Sequence, residues 1–306
     1  MSDAPALPPF KSGFVSLIGR PNVGKSTLLN ALVGRKVAIV ADKPQTTRTS
    51  IQGVLTTPEA QVIFLDTPGV HESNTLLNRR MMETVRAALY ERDLLLLLVD
   101  ATRPRGDEDR QALDLTRQGG APTLLVLNKV DLLKDKKQLL PLIEQYKSEF
   151  DFADYIPISA AKGNGLPELR AAIISRLPEG PAYFDPDHIT DQPERFLAAE
   201  FIREKVLRLT REEVPHAVAV LIDQWEETPE ITRIYATILV ERAGQKGIII
   251  GARGAMLKRI GTEARQEIEG LFAAKIFLGL HVKLQPNWRE NAAFLDSIDW
   301  RTMAGR

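Results

Sequence analysis

Phe14-Val15-Ser16-Leu17-Ile18-Gly19-Arg20-Pro21-Asn22-Val23-Gly24-Lys25-Ser26-Thr27 decides the fold of the first half of this chain. Phe14 to Ile18 is an apolar run of buried-strand length, and Leu28, Leu29 and Leu32 recur at helical spacing after the glycines. Strand, glycine-rich turn and helix in that order make a loop of backbone N–H groups, backed by the positive end of the helix dipole, that can cradle phosphates. In the pattern Gly-x-x-x-x-Gly-Lys-Ser, Lys25 reaches the terminal phosphates and the Ser26 hydroxyl faces Mg²⁺.

Downstream, Gln61 to Leu65 is a second buried strand that runs into Asp66-Thr67-Pro68-Gly69. Asp66 therefore emerges at a strand's carboxyl end, where an open parallel sheet binds its ligands. Asp66 is expected to hold Mg²⁺ through its water shell, while Gly69, having no side chain, lets its N–H approach a γ-phosphate. Thr123 to Leu127 leads in the same way into Asn128-Lys129-Val130-Asp131. Guanine offers N1–H and N2–H₂ as adjacent donors that one carboxylate accepts together, and adenine has no such pair. Asp131 thus selects guanine, since a mismatched base leaves buried polar groups unpaired at about 1–3 kcal/mol.

Two softer elements complete the set. Ser159-Ala160-Ala161 follows the apolar Tyr155 to Ile158, and either supplies N–H groups to guanine O6 or is a polar loop before a helix starting near Leu166. Lys43-Pro44-Gln45-Thr46-Thr47-Arg48 is a polar segment placed for a mobile switch loop, with Thr47, or Thr46 beside it, to complete the metal's coordination.

Composition is that of an ordinary globular protein, and 306 residues suit two cores better than one. The chain has no cysteine, so disulfides, thiolate metal sites and cysteine nucleophiles are excluded. The four histidines are scattered, which disfavours a histidine metal site. Met1 to Pro5 carries an acid and a proline where a signal peptide needs a basic end and an apolar stretch, so a cytoplasmic location is expected. Leu94 to Val99, the longest apolar run, is closed by Asp93 and Asp100 and reads as a central strand buried on both faces.

Strand and helix alternate over residues 10–178, predicting a doubly wound, mostly parallel sheet; a proline-rich linker over 179–193 follows. A smaller α+β domain is expected over 194–286, with a tail over 287–306. Phe196, Ala199, Phe201, Ile202, Val206 and Leu209 mark an amphipathic helix studded with Arg203, Lys205 and Arg208. Strands are expected at Ala217 to Ile222, Ile231 to Val240 and Ile276 to Leu284; before the last of these, Gly251-Ala252-Arg253-Gly254 leads from an isoleucine run into a helix. This order of elements resembles a type II KH domain, in which glycines at such a turn let a nucleic-acid backbone approach and an apolar floor beside it takes about four unstacked bases. The whole chain is neutral, with 40 basic and 40 acidic residues, yet Arg242, Lys246, Arg253, Lys258 and Arg259 follow one another with no acid between. Lys246, Ile250, Gly251, Ala252, Arg253, Gly254 and Lys258 are the expected RNA contacts.

The first set of motifs is that of the translation-factor-related GTPases, and Gly-Arg-Pro-Asn-Val-Gly-Lys-Ser-Thr with Gln-Thr-Thr-Arg and Asp-Thr-Pro-Gly resembles the Era-like subset. The second domain resembles a type II KH domain, a combination found in that subset. The resemblance implies Gly19 to Thr27 on the phosphates, Ser26 and Thr47 on Mg²⁺, and Asp66 to Val70 as the second switch. It further implies Asn128, Lys129 and Asp131 at the base, Ser159, Ala160 and Ala161 as the fifth element, and Lys25, Thr47, Asp66 and Gly69 as the groups acting in hydrolysis. The implied role is a GTPase of 30S ribosomal subunit assembly that binds the 3′ end of 16S rRNA and is expected to be monomeric. Val70 stands where Ras-like enzymes carry a water-orienting glutamine, so slow hydrolysis is expected, raised by an RNA or ribosomal partner or by a monovalent cation such as K⁺ near Asn22. The alternatives are an RNA-binding module holding GTP as a structural ligand, and a peripheral membrane or cell-cycle GTPase that touches a bilayer through Trp288, Phe294, Leu295, Ile298 and Trp300.

Overall fold

A computed structural model describes residues 9–43, 45–70, 75–90 and 92–299; Pro44 of the switch segment and Trp300 of the tail lie outside the described residues. These residues form two compact units, one of 9–37, 50–70 and 82–191, the other of 38–49, 75–81 and 192–299.

In the first unit β1 (Lys11–Ile18) leads through the glycine turn into α1 (Lys25–Val33); β2 (Ile51–Thr56) and β3 (Ala60–Asp66) follow. Then come α2 (Leu76–Ala87), of which residues from 82 onward belong here, β4 (Leu94–Asp100), α3 (Asp107–Gly119) and β5 (Thr123–Asn128). After these, α4 (Leu139–Lys147), β6 (Asp154–Pro157) and α5 (Leu166–Arg176) complete the unit. The strands lie in the order β2-β3-β1-β4-β5-β6, all parallel except β2, which runs against β3. Every residue of β4 is buried, as a leucine run covered on both faces requires. Parallel register brings strand ends level: Leu17 pairs with Asp66, and Asp100 with Asn128.

The proline-rich connector is not slack. Glu179 bridges to Lys11, the Val54 N–H donates to Ile189 O at 2.8 Å, and the Gln61 amide holds Tyr183 and Phe184. Laid along β2, it covers an edge whose free N–H and C=O groups would otherwise invite another strand.

The second unit contains α6 (Glu194–Leu209), β7 (Ala219–Glu227), β8 (Thr232–Val240), α7 (Ala243–Ile250), α8 (Ala255–Phe272), β9 (Ile276–Leu284) and α9 (Ala292–Ile298). Its sheet has the order β7-β8-β9, with β7 antiparallel and β9 parallel to β8. One face packs on α6 and α8 through Ile202, Val206, Ile234, Ile238, Ile260 and Ile268. At one end of the other face Ala219 and Leu239 meet Leu77, Met81, Trp288 and Leu295. Trp288 is fully buried and donates its indole N–H to Ala217 O at 3.0 Å, and Leu295 is buried beside it, so these two apolar residues of the tail serve a core.

The charged face expected on α6 is a correction in part: Arg203, Glu204 and Lys205 are buried. Segment 38–49 covers them, with Ile39 in the core, the Val40 N–H donating to Glu204 at 2.8 Å and Arg203 donating to Thr46 O. Lys205 is paired with Glu204 and with Glu267 of α8. Buried charges persist only when paired and hydrogen-bonded, which these are.

Candidate functional site

The glycine turn after β1 is held open by close approaches that tolerate no side chain. A Cβ on Gly19 would stand 2.5 Å from Leu98 O, and one on Gly69 would stand 2.7 Å from Pro21 Cα. Gly19, at φ +155°, and Gly24, at φ +101°, also adopt backbone conformations that a side chain disfavours. Lys25 is buried and donates its ammonium to Gly19 O at 2.8 Å and Arg20 O at 3.0 Å, closing the loop on itself. Burial pushes its pKa down to about 8, against the opposing pull of Asp66.

Ser26 at the start of α1 donates to Asp66 Oδ2 at 2.5 Å, and Asp66 is fully buried at the end of β3. A hydroxyl and a carboxylate in contact beside a phosphate-binding turn are the hard oxygen donors that Mg²⁺ takes, so the residues fit the ion. The Thr67 hydroxyl is committed to Leu17 O at 2.7 Å, and Pro68 and Val70 are buried, the Val70 N–H donating to Gly19 O at 3.2 Å. The second motif thus reaches the turn through its backbone. Of the two threonines, Thr46 donates to Lys43 O at 2.6 Å and Ala41 O at 3.2 Å, and Thr47 is buried in the second unit with segment 38–49.

The base-side residues are brought together. Asn128 donates its amide to Val23 O at 2.8 Å and accepts from the Ala160 N–H at 3.0 Å, tying the glycine turn to the loop after β6. Lys129, at φ +68°, donates to Asn22 O at 2.7 Å and to Asp100 Oδ2 at 2.8 Å. Asp131 is exposed just beyond, as are Asn22 and Ala161, while Ser159 is buried. Asp100 is a participant that the sequence does not advertise, because it reads there as the polar stop of a strand. Its carboxylate takes Lys129, Thr102 and, at 3.6 Å, Arg20, which also pairs with Asp109 at 3.1 Å. Burial alone would raise the Asp100 pKa, but the hydrogen bonds from Lys129 and Thr102 outweigh it and hold it below the usual carboxylate value.

In the second unit Gly251 (φ +68°), Arg253 (φ +52°) and Gly254 (φ +79°) turn the chain from α7 into α8. A Cβ on Gly251 would lie 2.7 Å from that of Met256, whereas nothing stands within 4 Å of Gly254. Gly254 and Lys258 open onto a groove of about 400 Å³ lined also by Leu257, Gly261, Thr262, Arg265, Leu278 and Leu280. Of the other expected contacts, Lys246, Ile250, Gly251, Ala252 and Arg253 are not among its lining residues; Ile250 packs against the core. Arg253 and Lys258 are exposed without a carboxylate partner among the described residues. Leu278 and Leu280 escape a sequence reading of the site because they belong to a strand whose alternation says only core.

A family model described as 50S ribosome-binding GTPase matches residues 14–129, and a KH-domain model matches residues 213–289. GTPase Era of Geobacter metallireducens is 49% identical over 294 residues, spanning 95% of this chain and 98% of that one. A crystal structure of Era in complex with MgGDPNP and nucleotides 1506–1542 of 16S ribosomal RNA is 41% identical, with a TM-score of 0.92, covering 95% of this chain and 99% of that one. An Aquifex aeolicus Era variant bound to GDP and AlF₄⁻ gives the same identity, coverage and TM-score. Among the described residues no helix is long and apolar enough to cross a membrane.

Proposed function

This chain belongs to the Era family of GTPases, and from that premise we propose that it is a cytoplasmic nucleotide switch whose KH unit grips the 3′ end of 16S rRNA while the 30S subunit is assembled. GTP lies on the turn from Gly19 to Thr27. Lys25 exchanges its two loop carbonyls for phosphate oxygens, remaining charged where charge develops. Ser26 binds Mg²⁺ directly, Asp66 through water, and Thr47 closes the shell when segment 38–49 reaches the nucleotide. Bound there, the ion neutralises charge on the β- and γ-phosphate oxygens. Gly69 reports the γ-phosphate through its N–H, Asp131 accepts both guanine donors, and Asn128 keeps the two loops around the base in register. Val70 has no group to orient water, so unaided turnover is slow. The loss of contacts to the γ-phosphate at residues 47 and 69 releases the switch segments.

The observation that carries the RNA half of this reading is the groove beside Gly254, walled by Leu278 and Leu280 and bordered by Lys258, which has no carboxylate partner among the described residues, and by Arg265, which pairs with Glu269. Crosslinking the protein to RNA in its host cells and sequencing the attached RNA tests it. A peak at the 3′ end of small-subunit rRNA is the expected result. A peak on large-subunit rRNA, or none, would overturn the 30S assignment while leaving the GTPase in place.

A further inference from the structure

The strand that walls the groove has a second face. Alternation along β9 sends Leu278 and Leu280 toward the groove, and Phe277, Gly279, His281 and Lys283 to the opposite side of the sheet. On that side Phe277 pairs with Arg233, Gly279 with Tyr235, and Thr237 with His281. A Cβ at Gly279 would stand 2.8 Å from the Tyr235 ring, so Tyr235 lies down against bare backbone. Its ring centroid is 5.6 Å from that of Phe277, the planes inclined at 56°. Covering a strand glycine with an aromatic ring is a stabilising device in its own right and accounts for Tyr235. It does not account for Phe277, which is 45% exposed.

The charge around the rings has one sign along β9. Residues 270–289 contain no acid. Arg233, Lys275 and Lys283 are exposed, and none has a carboxylate partner among the described residues. The acids of this face stand on β7, the far strand, where Asp223 is held by Thr237 and Glu226 lies in register with Arg233. A base-sized ligand on the rings would therefore have its anionic backbone directed along β9, on the side that also borders the groove.

We propose that Tyr235 and Phe277, flanked by Arg233, Lys275 and Lys283, form a second platform for single-stranded RNA, on which bases leaving the KH groove stack after the strand crosses the edge of β9. The proposal rests on the RNA-binding reading above. Aromatic faces accept any base, so this platform adds affinity and footprint with little sequence preference. The crossing goes round a single edge strand and through the thickness of one sheet layer, about 10 Å.

The test is binding of the full chain, loaded with a non-hydrolysable GTP analogue, to a labelled RNA of the host's own 16S sequence spanning nucleotides 1506–1542. Phe277→Ala is expected to weaken binding about tenfold, Phe277→Trp to leave it within about twofold, and neither to change GTP affinity. Ultraviolet crosslinking should attach nucleotide to the peptide carrying Phe277. If Phe277→Ala lowers the melting temperature, the exposed pair Arg233→Ala with Lys283→Ala decides instead: loss of affinity supports the platform, and wild-type affinity overturns it. Wild-type binding by Phe277→Ala at full stability also overturns it and leaves the groove reading intact. Failure of the unaltered protein to bind the RNA defeats the RNA reading itself, and the platform with it.

Discussion

Lys129 donates its ammonium to Asp100 across 2.8 Å, linking the segment that follows β5 to the carboxyl end of the neighbouring strand β4. The same ammonium donates to Asn22 O, so one side chain fastens the phosphate loop, the base loop and the sheet. Asp100→Ala removes the central acceptor and is expected to destabilise the protein by about 1.5–3 kcal/mol, the range for hydrogen bonds to charged groups. Guanine-nucleotide affinity should fall with it. Thermal denaturation and nucleotide titration of the variant check both.

The pH dependence has a definite sign. Folding depresses the Asp100 pKa, so its pairing stabilises the protein fully above the unfolded-state carboxyl value. That contribution is lost as pH falls from the unfolded value through the lower folded one. Acid denaturation of Asp100→Asn, compared with the parent chain, should show a smaller fall in stability across that interval; equal falls would mean that Asp100 is not the titrating group.

Asp131→Asn replaces two acceptor oxygens by one acceptor and one donor. GTP affinity should drop at least tenfold and xanthosine triphosphate, which presents a carbonyl at that edge, should bind in its place. Competition with the two nucleotides measures it, and undiminished preference for GTP would remove Asp131 from the base site.

Gly251→Asp with Gly254→Asp puts negative charge and bulk where backbone must meet backbone. RNA binding should be abolished and GTP affinity unchanged. Gly254 has open space around it but a φ of +79° that strains any side chain, so Gly254→Asp is compared with Gly254→Ala, which carries a side chain at the same φ without the charge.

Turnover should be higher in potassium than in sodium buffer at equal ionic strength. Asn22 stands exposed at φ +61° on the glycine turn, with its backbone carbonyl accepting from Lys129. Equal rates would leave the activator to be an RNA or ribosomal partner.

Most of the first sheet could be read in advance because its strands are apolar runs that end on functional residues: Phe14 to Ile18 before the glycine turn, Gln61 to Leu65 before Asp66, Thr123 to Leu127 before Asn128. β2 could not. Ile51-Gln52-Gly53-Val54-Leu55-Thr56 carries a glycine where Leu29 and Val33 of α1 leave no space for a Cβ, which weakens its strand signal for a packing reason. Arg203 and Lys205 read as solvent-facing because charge on a helix usually is. Their burial depends on segment 38–49, whose docking no local pattern encodes. Asp100 was invisible for a related cause, since a carboxylate that ends a strand looks the same whether or not a lysine finds it.

The contacts of segment 38–49 also impose an order on synthesis. Val40 finds its acceptor on Glu204, 164 residues later, and Thr46 is held by Arg203, 157 residues later. At translation rates of about 5–20 residues per second, the segment waits roughly 8–30 seconds before its anchor leaves the ribosome. During that interval the nascent first unit carries a loop with exposed Ile39 and no helix to receive it, and a newly made protein acquires its resting switch only when the other half of the chain has folded.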